Sequence, residues 1–132
     1  ALEAYARAIA MAEPIAATNT SAASVLAVAV TESALLHARA GRAVRALALA
    51  ERAHDMAQDV VARHADPAVL GRRYALPRAY ATLAEVHGAI GRRREADEWR
   101  SKARAAWRAL EGTQGFTEQF AREARALDTA RP

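Results

Sequence analysis

His37, Gly41, Arg42 and Ala46 recur in the same order, without a gap, as His87, Gly91, Arg92 and Ala96, an offset of 50 residues. Ala53 falls on Ala103 in the same register, and upstream Ala34 and Leu36 fall on Ala84 and Val86. Self-similarity at a period of roughly 20 to 50 residues marks units that bury their apolar faces against neighbouring copies. Each copy has two Ala seven residues apart, Ala46 with Ala53 and Ala96 with Ala103. Seven residues is about two helical turns, so both methyl groups lie on one face, where small side chains let another helix come close. The Gly five residues before the first Ala ends the preceding helix at little steric cost, because it can take the left-handed conformation of a helix C-cap. Ala1, Tyr5 and Ala8 repeat the Ala spacing, so the sequence reads as opening partway through an earlier copy.

Composition agrees with helices. The chain has 132 residues, a length suited to one folding unit or part of an array and too short for a two-domain enzyme. Thirty-eight of them are Ala, the best helix former and a weak strand former, which excludes a sheet-based core and points to an all-α fold. With no Cys, disulfides, thiol nucleophiles and Cys-ligated zinc are excluded.

Punctuation along the chain predicts six helices. The first covers Leu2 to Glu13 and stops at Pro14; Thr18 to Ser21 supply N-caps for a second that ends at Arg39, before Gly41. A third covers Ala43 to Arg63, with Val44, Leu47, Ala50, Met56 and Val60 as its buried face and Glu51, Asp55 and Asp59 outside. Asp66 and Pro67 break the chain, a helical turn follows over Ala68 to Arg72, and Pro77 suits the first turn of a fourth helix reaching Ile90. The fifth spans Arg93 to Leu110, and after a turn at Gly112 to Gly115 the last spans Thr117 to Leu127. Short connections imply antiparallel neighbours.

The net charge of +4 is unevenly placed. Seven Arg between Arg63 and Arg94 face only Asp66 and Glu85, and the rest of the chain is about neutral. Eighteen of the 19 basic residues are Arg, a bias that codon composition alone produces. The Arg-rich turns, Arg72 and Arg73 and then Arg92, Arg93 and Arg94, are the places where an acidic partner would bind. Nucleic acid is disfavoured, since Tyr74 and Tyr80 read as structural and no recognition motif is present. Pro14 to Thr31 is uncharged, but Thr18, Asn19, Thr20, Ser21 and Ser24 interrupt it, and a span needs about 20 mainly apolar residues. It reads as a buried helix with a polar entry. No basic region followed by an apolar core opens the sequence, so a cytoplasmic location is expected.

Tyr80, Leu83, Ala84 and His87, followed by Gly91, Ala96 and Ala103, resemble the tetratricopeptide (TPR) repeat, a helix-turn-helix unit that stacks into a superhelix. The earlier copy has Val30, Ser33, Ala34 and His37 in the corresponding places. The family period is about 34 residues, so an offset of 50 implies longer helices and a longer connection through Asp66, Pro67 and Pro77. The aromatic of the second helix is Tyr5 in the first copy but Ala50 and Arg100 in the others, with Trp99 one place away, and the Pro that closes the unit is displaced. The long period, the Asp-Pro connector and the segment Trp107 to Gly115 are similar to the TPR tails of large bacterial multidomain proteins, Ser/Thr kinase fusions among them. The resemblance divides the chain into a partial repeat at 1–13, repeats at 21–63 and 76–111 and a capping helix at 116–128.

The resemblance implies a protein–protein interaction scaffold, not an enzyme, with a partner peptide or domain in a concave groove lined by the first helix of each pair. Those helices turn Val28, Glu32, Leu35 and Arg39, and then Arg78, Thr82, Glu85 and Ala89, towards the groove. Where the chaperone-binding subclass grips a C-terminal carboxylate with Lys and Asn, this chain has Thr31, Leu35, Ala81 and Glu85, so that ligand is not implied. An alternative is an all-helical sensor domain of a bacterial regulator, binding a small-molecule effector in a cavity left by the Ala-rich core. Self-association through Ala1 to Glu13 is a third reading, because a stack opened at that end exposes an apolar face.

No residues call for a metal or cofactor. His37 and His87 are equivalent by the repeat and read as packing residues, each with a ring nitrogen bonded to a neighbour. Glu51 and His54 have the spacing of half a di-iron bundle site, which also needs a second such pair and two further Glu. His54, Asp55, Asp59 and His64 lack the upstream His of a phosphohydrolase motif. Neither a Gly-x-Ser-x-Gly elbow nor a Gly-rich phosphate loop is present, so catalysis is not expected.

Overall fold

The computed structural model describes residues 1–63, 75–110 and 118–129, and their regular structure is entirely α-helical. The helices are α1 Leu2–Ala12, α2 Thr20–Arg39, α3 Ala43–Arg63, α4 Ala75–Ala89, α5 Arg93–Leu110 and α6 Glu118–Thr129. Their bounds lie within a few residues of those the punctuation predicts. The connector at Asp66 and Pro67, the turn at Ala68 to Arg72, the glycines 112 and 115, and Arg72 and Arg73 lie outside the described residues.

Asn19 caps α2, its side-chain oxygen accepting a 3.1 Å hydrogen bond from the Ala22 N–H. The two glycines of the repeat build the same turn twice. Gly41 and Gly91 have φ of 79° and 86°. Arg42 N–H donates to the His37 carbonyl at 2.9 Å and Arg92 N–H to the His87 carbonyl at 2.8 Å, closing a Schellman motif at each helix end. The carbonyls of Arg42 and Arg92 then accept from Ala46 and Ala96, so only three residues separate one helix from the next at each turn.

Each helix packs on its chain neighbour, and α2 also packs on α4. Ala46, Ala53, Ala96 and Ala103 are 0, 5, 1 and 0% exposed, so each pair lies on a buried helix face, as the seven-residue spacing predicts. One core cluster joins α1, α2, α3 and α4 through Ala12, Leu26, Val30, Leu49, Leu83 and Val86; a second joins α4, α5 and α6 through Tyr80, Ala103, Trp107 and Leu127. An Ala methyl contributes little burial energy, about 0.8 kcal/mol per carbon, so the few large buried side chains dominate the stability. Trp107, Leu83, Val30 and Val86 are the main ones.

Two expectations fail. Val44 is 86% exposed. It lies about 200° around α3 from Ala46, and the buried face is set instead by Ala46, Leu49, Ala50, Ala53 and Ala57. Leu47 and Met56 pack only at the edge of that face. Nor is α2 buried all round, since Val25 and Val28 are 51% and 60% exposed on the side away from its neighbours. Among the described residues no helix is long and apolar enough to cross a membrane.

Ion pairs link helices that are two apart in chain order. Glu13, the C-cap of α1, pairs with Arg52 on α3. Arg39 on α2 pairs with Glu85 on α4 at 3.0 Å. Arg78 on α4 meets Glu123 on α6 with two bonds, of 2.9 and 2.8 Å.

Candidate functional site

Between α2, α4 and α6 lies an open groove of about 690 Å³, with Trp107 and Arg100 of α5 behind it. Its floor is set by close helix approach. Ala81, Ala84 and Gly88 of α4 are small, and Leu35, Trp107 and Leu127 supply the larger apolar surface. Two ion pairs stand on its rim, Arg39 with Glu85 and Arg78 with Glu123, about 10 Å apart along α4. The two parallel bonds of Arg78 to Glu123 are the stronger geometry and hold α6 beside α4.

Of the eight groove positions read from the sequence, Glu32, Leu35, Arg78, Thr82 and Glu85 line this hollow, and Arg39 joins it through Glu85. Val28 and Ala89 are exposed and do not line it. Thr82 is buried, and its hydroxyl donates to the Arg78 carbonyl at 2.9 Å, so it belongs to the floor. Arg92, Arg93 and Arg94 are exposed at the α4–α5 turn, outside the groove. Arg94 pairs with Glu98 at 3.3 Å, within the acidic first turns that offset its position near a helix N-terminus.

The histidines separate into two environments. His37 accepts from Arg42, its Nδ1 lying 3.2 Å from the guanidinium Nη1, and lines a smaller hollow of about 360 Å³ among α1, α2 and α3. Burial, then the charges of Arg42 and Arg45, hold its pKa below the ordinary value. His87 is buried, and burial first, then Arg92, lowers its pKa against the opposing pull of Glu95 and Glu51. The expected ring hydrogen bond is missing at its Nδ1, which has no partner among the described residues, whereas His37 has Arg42.

His54 is placed in an aromatic trio that the sequence reading missed. Its ring centroid is 5.4 Å from those of Tyr80 on α4 and Trp99 on α5, and the latter two stack at 5.8 Å. The Lys102 ammonium lies 4.3 Å from the Trp99 ring centroid. The signal was present in the repeat, where Trp99 occupies the place of the buried Leu49 and so faces the preceding pair of helices.

Comparison with family models, with curated proteins and with solved structures finds no match to this chain.

Proposed function

We propose that the chain is a protein–protein interaction module of TPR-like build, taking a partner peptide in the groove between α2, α4 and α6. The observation that supports this most is the convergence of Glu32, Leu35, Arg78, Thr82 and Glu85, residues from the first helix of two successive repeat copies, on one open hollow. The packing of α2 on α4 and the duplicated turn after each agree with a stacked helix-turn-helix array. The groove's open form and charged rim suit a chain passing through it better than an enclosed effector, and for that reason the scaffold reading is preferred to the sensor.

The test is a peptide selected from a random display library against the whole chain. Changing Glu32 and Leu35 of the groove wall together to Ala should abolish its binding while the helical circular dichroism is unchanged. Binding that survives this double change would remove the groove assignment, and a small hydrophobic compound that raises the melting temperature by several degrees would favour the sensor.

A further inference from the structure

We infer that the occupant of the groove is a basic amphipathic peptide, whose apolar residues rest on Leu35 and Ala81 and whose Lys or Arg pairs with Glu32. This rests on the groove reading above and adds the chemistry of the partner.

The inference follows from the charges around the hollow. Five ionisable side chains line it. Arg78 pairs with Glu123, Glu85 is held by Arg39, and Arg100 is held by Asp97 at 2.8 Å. Glu32 remains, half-buried on the α2 wall and with no ion pair or hydrogen bond to any described residue. Counted over the described residues, the groove with its rim is therefore one negative charge out of balance on a chain whose net charge is +4. An acidic peptide would meet three charge pairs already closed and one carboxylate that repels it. A cation is the group that completes the set, and the guanidinium or ammonium of a peptide does so without breaking an existing pair. Leu35 stands one turn from Glu32 on the same face of α2, so the apolar contact and the charge contact fall on neighbouring residues of the occupant. The exposed Arg92 and Arg93 lie outside the groove and do not enter this balance.

Three synthetic 15-residue peptides decide it: one apolar face common to all, with Lys, Gln or Glu along the polar face. Affinity is read by titration calorimetry, and location by NMR shifts of the Leu35, Ala81 and Gly88 amides. The Lys peptide should bind tightest and move those amides. The variant Glu32→Gln should weaken it by about fivefold, the upper end for a partly exposed ion pair, and leave the Gln peptide unchanged. Glu32→Lys should reverse the order and favour the Glu peptide, which keeps the test decisive if the Gln variant is perturbed. Amide shifts in the groove with equal affinity for all three peptides, or with the Glu peptide tightest, would overturn the basic occupant and leave the groove reading in place. Binding with no shift at those amides, or no binding at all, would overturn both.

Discussion

Arg39 and Glu85 meet at 3.0 Å across the seam between α2 and α4, 46 residues apart in sequence, although their side chains are 61% and 54% exposed. Such a pair reports the relative position of two helices and contributes little to holding them.

Changing Arg39 or Glu85 to Ala should therefore lower stability by less than about 1 kcal/mol, and a double-mutant cycle in urea should give a coupling of about 0.5 kcal/mol. A coupling above about 2 kcal/mol would show the pair to be a structural clamp.

Gly41→Ala and Gly91→Ala should each cost about 1 to 2 kcal/mol. No atom lies within 4 Å of a Cβ placed at either residue, so the penalty is wholly one of backbone conformation and should be nearly the same at both. Chemical denaturation of the two variants checks this, and a marked inequality would mean that the turns are not equivalent.

Trp107→Ala should be the most damaging single truncation, at about 3 to 5 kcal/mol, because a 2% exposed indole dominates the small α4–α5–α6 cluster. Ala46→Leu should cost about 1 to 3 kcal/mol by forcing α2 and α3 apart, whereas Val44→Ala, on the open face of the same helix, should stay within about 0.5 kcal/mol. Thermal unfolding followed at 222 nm separates the three.

Acidification should weaken the fold. His37 and His87 have pKa values below the ordinary 6.5, so as pH falls through 6.5 the unfolded chain takes up protons that the folded chain does not. Stability is then complete above that pH and declines from there down to the folded values. The urea midpoint should be lower at pH 5 than at pH 8, and His87→Phe should reduce the difference. An equal drop in the variant would assign the effect elsewhere.

Much of the fold was legible because its signals are local. Gly41 and Gly91 end helices by their own backbone freedom, Asn19 caps through its own side chain, and the Ala spacing marks a face within one helix. Val44 misled because a β-branched apolar residue in a helical pattern says nothing about which side has a neighbour. The Arg78–Glu123 and Arg39–Glu85 pairs could not be read, since they depend on how far one helix slides along the next but one. Glu32 was legible as a groove position, but its lack of a partner among the described residues becomes visible only when the pairings of the charges around it are known.

Three ion pairs among the described residues bridge helices two apart in chain order, α1 to α3, α2 to α4 and α4 to α6. Packing at the apolar seams holds the stack together, and these three partly exposed charge pairs add little to it. Ions in solution screen those pairs and leave the seams intact. Added salt should therefore change the stability of the fold by no more than such exposed pairs contribute, about 1 kcal/mol for each, and leave the helices and their seams in place.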